Sequence, residues 1–297
     1  MDAIIKSDSF AHKGLGTHIV NPAWGCKEGC LYCYVLSVYR FQLGKPAKPI
    51  VHDPVVWLEQ LEQQAYAMKA QMLNEKSFEP ITFILSTACE PFSVDVAETS
   101  IKGIKILLEY FGQCGNVNIR IITKRLWEHL YDLNRIFISK PTQKKRMIFN
   151  ISLGDFRFDW WQKIEPNAGS PVGRMELVKT LQKLGYRTAI MACPIPPGQY
   201  EQTFGCYADI IEKAEEVFCE IINPRGDNIN RITESFPEVE ALRTKLGIRH
   251  ENFKLIETAH RYVKDHGKLR VMTYGFNFTD PDEERDFLRK YPGVRLL

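Results

Sequence analysis

The sequence has no uninterrupted apolar run of about 18 residues, the length a helix needs to cross a bilayer. A signal-peptide core is missing as well, since Ala3-Ile4-Ile5 is brief and is flanked by Asp2, Lys6 and Asp8. These absences predict a soluble, cytoplasmic protein with no membrane partner. Internal repeats, low-complexity tracts and long linkers are also lacking, which predicts one domain over residues 1–297. Charge of one sign is scarce: 39 Lys and Arg face 36 Asp and Glu, a formal charge of +3. Such a balance permits nucleic-acid binding without requiring it. What the chain does have is core-forming material, because 44% apolar content over 297 residues suffices for one large core.

The eight cysteines need a different account. Without a secretory signal, thiols are expected to stay free or to bind metal rather than to form disulfides. Three of them lie in Gly25-Cys26-Lys27-Glu28-Gly29-Cys30-Leu31-Tyr32-Cys33-Tyr34, spaced C-x3-C-x2-C. A structural zinc site needs a fourth ligand at fixed geometry, and the upstream His12 and His18 are not at finger-like spacing. Three thiolates on one short loop suit a cubic 4Fe-4S cluster, each taking one iron and leaving the fourth iron open. Cys114, Cys206 and Cys219 show no spacing for a second cluster.

Read in order, residues 1–16 form an irregular arm, and residues 17–20 a first strand with the cysteine loop at its C-terminal end. Barrels of parallel strands place their working loops there. A short helix is expected over residues 35–43, closed by Gly44-Lys45-Pro46. Asp53 caps the next helix, with Pro54 at its first position and Leu58, Leu61, Ala65, Met68 and Met72 on one stripe. Strands are expected at 81–85, 117–123, 147–151, 188–192 and 218–222, alternating with helices at 98–111, from Ser170 toward Gly185, and at 207–217. This alternation predicts a parallel α/β fold, an open six-stranded barrel with its core over about 17–223. Residues 224–297, with helices near 238–246 and 251–264 and a β-prone stretch at 269–274, read as a cap. Lys140, Lys144, Lys145, Arg146, Arg225 and Arg231 are solvated faces or phosphate contacts, and Trp160 and Trp161 are core residues or stacking platforms for bases.

With Tyr32 immediately before its last cysteine, the C-x3-C-x2-C loop resembles the signature of radical S-adenosylmethionine (SAM) enzymes. Further segments follow it in order: Asn21-Pro22-Ala23-Trp24-Gly25 before Cys26, Ser86-Thr87 with Glu90-Pro91-Phe92, Ile121-Ile122-Thr123-Lys124, and Asn150-Ile151-Ser152. Glu165-Pro166 through Ser170-Pro171 and Arg174, then Met191 to Gly198, complete a pattern similar to the spore photoproduct lyase group and its bacterial and phage relatives, over roughly residues 17 to 220. The resemblance implies a partial (β/α)6 barrel of the radical SAM type with a C-terminal helical/β cap. It also implies a 4Fe-4S cluster on Cys26, Cys30 and Cys33, and one-electron cleavage of SAM to a 5′-deoxyadenosyl radical that abstracts a hydrogen.

The same resemblance assigns residue roles. Tyr32 approaches the adenine of SAM through its backbone, Lys124 pairs with the SAM carboxylate, Asn150 or Ser152 hydrogen-bonds its methionine or ribose end, and Ile195 belongs to the cofactor site. Tyr32 and Tyr34 flank Cys33 as the lyase's tyrosines do and can relay a hydrogen atom. Cys89 lies in the loop where the lyase group has a radical-quenching cysteine, displaced from that position by a residue or two, and reads equally as a small buried hydrophobe; Cys193 reads as a wall of the SAM pocket. An electron donor such as flavodoxin or ferredoxin is implied as partner, and a DNA photolesion or another nucleic acid as substrate. Two other functions stay open: radical modification of a peptide or small molecule, and a non-catalytic iron-sulfur protein that senses redox state and needs no SAM pocket.

Overall fold

The computed structural model of the chain describes residues 2–33, 35, 49–74, 79–138, 140–154, 158–224, 228–273, 278 and 280–296. They fall into two units interleaved in sequence. The first comprises Met1–Lys27, Lys48–Asn150 and Leu181–Arg187; the second comprises Glu28–Ala47, Ile151–Thr180 and Thr188–Leu297.

In the first unit, the N-terminal segment is not an irregular arm. β1 (Ile4–Lys6) pairs antiparallel with β2 (His18–Val20), and α1 (Asp8–His12) lies between them, capped by the Ser7 side chain. A three-residue strand and a five-residue helix are too short to show a hydrophobic period, so the sequence pattern could not reveal them. β3 (Ala23–Trp24) and β4 (Ile50–Val51) form a small antiparallel pair. The Asp53 cap is as expected: its Oδ1 accepts the N–H groups of Val55 and Val56, each at 3.0 Å, at the start of α2 (Pro54–Asn74). The buried stripe of α2 is Trp57, Leu61 and Ala65, with Leu58, Met68 and Met72 only half-buried. The indole sets this register, because a Cβ on Gly103 of α3 (Ala97–Phe111) would fall 3.0 Å from the Trp57 ring. Gly103 therefore lets α3 approach α2 closely.

β5 (Ile81–Leu85), β6 (Val117–Thr123) and β7 (Met147–Ser152) extend the first unit's sheet in the order β1-β2-β5-β6-β7, with β2, β5 and β6 parallel. Phe83 meets Phe111 of α3 with ring centroids 5.0 Å apart, so α3 covers that face of β5. Strand alternation turns Ile84 to the other face, and the register sets Arg120 opposite Ile84. Between β6 and β7 lies α4 (Leu130–Ile136), which buries only Leu130 and Leu133 and was not foreseen for that reason. β7 runs out of this unit after Asn150.

The second unit takes up the chain with α5 (Phe158–Ile164), α6 (Pro171–Lys183) and β8 (Arg187–Ile195), the junction of the last two lying in the first unit. α7 (Tyr200–Lys213) begins seven residues before the expected start, directly after Gly198, because Tyr200, Thr203 and Phe204 already point into the core. β9 (Glu216–Ile221) follows, then α8 (Asn228–Thr233), which the sequence pattern did not show. Where two helices were expected near 238–246 and 251–264 there is a 3-10 turn, Pro237–Arg243, and a single α9 (Lys245–Tyr262) whose cap, Thr244, accepts the Gly247 N–H. β10 (Leu269–Thr273), α10 (Pro281–Lys290) and β11 (Val294–Leu296) end the chain. β8, β9, β10 and β11 are neighbours in that order and parallel throughout, so the C-terminal segment adds strands as well as helices. The predicted α/β class with a largely parallel sheet is the observed one. Tyr34, and the helix expected over 35–43 apart from Val35, lie outside the described residues.

Candidate cofactor site

In the first unit, the loops leaving β2 and β5 are laced together. The Asn21 side chain accepts the Thr87 N–H at 2.8 Å and donates to Thr87 Oγ1 at 3.1 Å. Ser86 N–H donates to the Val20 carbonyl at 3.1 Å, and Gly25 N–H to the Ala88 carbonyl at 2.7 Å. Gly25, with φ 77°, is the turn that delivers Cys26, in a conformation glycine adopts without a Cβ penalty. Ser86 has φ 68°, a left-handed conformation that costs a non-glycine residue about 1–3 kcal/mol and is held by these bonds. Its hydroxyl lies 3.4 Å from Cys89 Sγ. Burial pushes the Cys89 thiol up to about 12, so at neutral pH it keeps the S–H that a hydrogen-atom donor needs.

Glu90 ties the β5 loop to the end of β6. Its buried carboxyl receives the Lys124 N–H at 2.9 Å, the Phe92 N–H at 3.3 Å and the Thr123 hydroxyl. Thr123 Oγ1 also lies 2.5 Å from the Arg125 carbonyl. One hydroxyl hydrogen cannot serve both oxygens, and a protonated Glu90 relieves the conflict by donating to Thr123. Burial raises Glu90 to about 7, against the pull of those donors and of the Lys124 charge. A carboxyl whose folded pKa lies above its unfolded value of 4.5 contributes stability that is full below pH 4.5 and is lost as pH rises through about 7. That loss is on the order of 3 kcal/mol. Glu90→Gln is expected to flatten this slope in urea unfolding measured from pH 4 to 8; an unchanged slope would place the titration elsewhere.

Residues 28–33 of the cysteine loop belong to the second unit and are held within it. Leu31 N–H donates to the Ile164 carbonyl at 2.9 Å, and Asn167 Nδ2 to the Glu28 carbonyl at 3.3 Å, so the end of α5 grips the loop. From α8, Asn228 Nδ2 donates to the Tyr32 carbonyl at 3.1 Å and Arg231 Nη2 to the Cys33 carbonyl at 2.9 Å. Gly29, φ 69°, makes the turn before Cys30. The Tyr32 phenol donates to Glu165 Oε1, whose Oε2 receives Arg174 Nη2. Arg174 also donates to the Gly169 carbonyl at 2.6 Å and the Ser152 carbonyl at 3.0 Å. Arg174 and Glu165 are 2% and 4% exposed. Burial, then the charges of Cys30 and Glu165, hold the Tyr32 phenol well above its usual range. Its proton therefore stays in the bond to Glu165.

None of Cys26, Cys30 and Cys33 is in a disulfide. Among the described residues no three His, Cys, Asp or Glu side chains stand ready as a metal-ligand set. The fit to a cluster rests on the donors: three thiols within eight residues, no disulfide, and a backbone held by Gly25, Gly29 and the bonds to α5 and α8.

No family model matches the chain. The uncharacterized protein ORF301 of Acidianus two-tailed virus is 22% identical over 235 residues, covering 72% of this chain and 69% of that protein. Spore photoproduct lyase complexed with dinucleoside spore photoproduct superposes with a TM-score of 0.62 at 16% identity, over 90% of this chain and 78% of the lyase. The chain has the spore photoproduct lyase fold. A substituted form of spore photoproduct lyase with bound AdoMet and dinucleoside spore photoproduct gives a TM-score of 0.61 at 17% identity, covering 93% and 79% of the two chains. The resemblance to the spore photoproduct lyase group, read from short ordered motifs, is thus matched in fold.

On the spore photoproduct lyase fold the expected site residues are placed as follows. Lys124 follows β6 directly, half-buried, its N–H on Glu90. Ser152 ends β7 and donates to the Cys193 carbonyl at 3.1 Å, while Asn150 is fully buried with its Oδ1 on Arg120. Ile195 is buried and pairs with Ile221 beyond an irregularity in β8, and the Cys193 thiol donates to the Phe218 carbonyl at 3.7 Å. Tyr34 is not among the described residues. Trp160 is buried and packs on Phe236 with centroids 4.2 Å apart, a core contact, while Trp161 is half-buried and donates to the Ala168 carbonyl at 3.2 Å. Lys144 lies over the Tyr186 ring, Arg146 donates to the Gly115 carbonyl at 2.5 Å, and Arg231 serves the cysteine loop, so these cations have work within the fold.

Glu165 and Arg174 were legible only as letters of a motif; their roles were not. Two opposite charges nine residues apart in an otherwise uncharged stretch that contains Pro166 and Pro171 are the signal that could have paired them. Nothing in the sequence pointed to Asn228.

Proposed function

We propose that the protein is a radical SAM enzyme built as one catalytic domain, core about 17–223 and extension 224–297, in which Cys26, Cys30 and Cys33 hold a 4Fe-4S cluster. Bound there, the cluster supplies the electron that cleaves SAM to methionine and a 5′-deoxyadenosyl radical. The observation that carries this reading is the set of three thiols, none of them in a disulfide, within eight residues of one loop, in a chain with the spore photoproduct lyase fold. Lys124, oriented through its backbone by Glu90, pairs with the SAM carboxylate; Tyr32, Ser152 and Ile195 belong to the same cofactor site. A flavodoxin or ferredoxin serves as electron donor, and the setting is cytoplasmic.

Lys124→Ala is expected to leave iron content unchanged and to weaken SAM binding roughly tenfold to a hundredfold, the worth of one charge-assisted contact. Equilibrium dialysis measures it, and an unchanged dissociation constant would return Lys124 to the surface.

For the substrate we propose a DNA photolesion, supported by the dinucleoside spore photoproduct bound to structural neighbours. Cys89, kept as S–H by burial, would then return a hydrogen atom to the substrate radical. Cys89→Ala should still form 5′-deoxyadenosine from SAM, while irradiated DNA yields misrouted products; normal products would assign the thiol to packing. One observation favours the second reading, a peptide or small-molecule substrate: Lys144, Arg146 and Arg231 are engaged inside the fold and Trp160 is in its core. Irradiated DNA left intact while 5′-deoxyadenosine accumulates would decide for it.

A further inference from the structure

Two tyrosines meet on the outer surface of the α2–α3 pair, within the first unit. Tyr66, from α2, is 66% exposed, and Tyr110, from the last turn of α3, is half-buried. Their ring centroids lie 6.4 Å apart with planes at 79°, so the two rings form a corner. Glu62, Gln63 and Tyr66 lie three, four and seven residues beyond Glu59 in α2, a spacing that puts all four on one face of the helix. Together with Tyr110 they line a cleft of about 270 Å³.

The face of a tyrosine ring is the negative part of its quadrupole and attracts a cation held over it. The carboxylates of Glu59 and Glu62 add charge of the same sign, and no lysine or arginine is among the described residues that line the cleft. Lys69, three residues beyond Tyr66, donates to Cys114 Sγ at 2.8 Å instead. The Tyr110 phenol registers this field. It donates to Glu62 Oε1 at 3.4 Å and is held above its usual range by desolvation, then by the charge and hydrogen bond of Glu62 and the charge of Glu109.

The lining also selects among cations. A metal ion would engage the carboxylates and leave the rings unused. A primary ammonium is a compact, strongly hydrated charge that an aromatic wall desolvates at a loss. A methylated ammonium spreads its charge under an apolar surface, and so matches ring faces and carboxylates at once.

We propose that this cleft binds an organic quaternary ammonium group, with Tyr66 and Tyr110 supplying the ring faces and Glu59 and Glu62 the counter-charge. The site stands apart from the SAM reading, because none of the residues assigned to the cluster or to SAM lines it.

Choline and the neutral alcohol in which carbon replaces its nitrogen differ by one charge at nearly constant shape. In saturation-transfer NMR titrations of the 297-residue chain, choline is expected to bind about fivefold or more tightly than the alcohol. Tyr66→Ala should remove that preference, and Glu62→Gln should weaken choline binding while leaving the alcohol's unchanged. Both side chains are exposed, so the thermal midpoints of these variants should match wild type. A peptide carrying trimethyllysine, set beside the same peptide with plain lysine, identifies the source of the group: tighter binding than choline assigns it to a side chain of a partner, weaker binding to a free small molecule. Equal binding of choline and the alcohol, choline binding unaltered by Tyr66→Ala, or binding of neither choline nor the trimethyllysine peptide would overturn the proposal.

Discussion

Alanine at Cys30 is expected to leave the protein unable to hold its cluster: after anaerobic reconstitution, wild type should carry about four irons and four sulfides per chain and the Cys30→Ala variant essentially none. Cys26→Ala and Cys33→Ala should behave alike, because a cubane with one open iron has no protein ligand to spare. The fold should survive. Cys30 is a small side chain at 9% exposure, and its removal costs on the order of 1 kcal/mol in packing. Loss of the brown chromophore with an unaltered circular dichroism spectrum is thus the pattern that separates ligation from structure. Stoichiometric zinc in all forms, with no iron uptake, would contradict it.

The second large effect is on stability. Glu165→Gln leaves the Arg174 guanidinium buried at 2% exposure without a counter-charge. Breaking a buried pair by removing one partner typically costs about 3–5 kcal/mol, a large part of a domain's net stability. Arg174 cannot escape to solvent, since its other donors are held by the Gly169 and Ser152 carbonyls. Tyr32→Phe, by contrast, removes one hydrogen bond and should cost about 1 kcal/mol. Urea unfolding of the three proteins tests the ranking. A Glu165→Gln loss no larger than that of Tyr32→Phe would mean that the pair does not support the cysteine loop.

The two effects rest on features that were unequally legible. The cysteine ligands are chemistry written locally, so spacing alone exposes them. The same holds for Asp53 and Ser170, whose caps act within three residues. Parallel strands of five to nine residues stood out because both of their faces are buried. The α1, α4 and α8 helices did not, since each is under eight residues and buries two or three side chains at most. Glu165 and Arg174 pair with each other and with Tyr32, 133 residues away from Glu165 in sequence, and no local pattern announces such a contact. Asn150 shows the same limit from the other side: its residue type suggested hydrogen bonding, but only the fold shows that its Oδ1 is taken by Arg120, 30 residues away in sequence.

The central claim is that this chain uses three loop cysteines to cleave SAM. The measurement that meets it most directly is anaerobic incubation of the reconstituted protein with SAM and dithionite, followed by chromatographic assay of 5′-deoxyadenosine. The account predicts 5′-deoxyadenosine from wild type and none from Cys30→Ala. A wild-type protein that binds its full complement of iron and yet forms no 5′-deoxyadenosine would contradict it and leave the cluster a redox sensor.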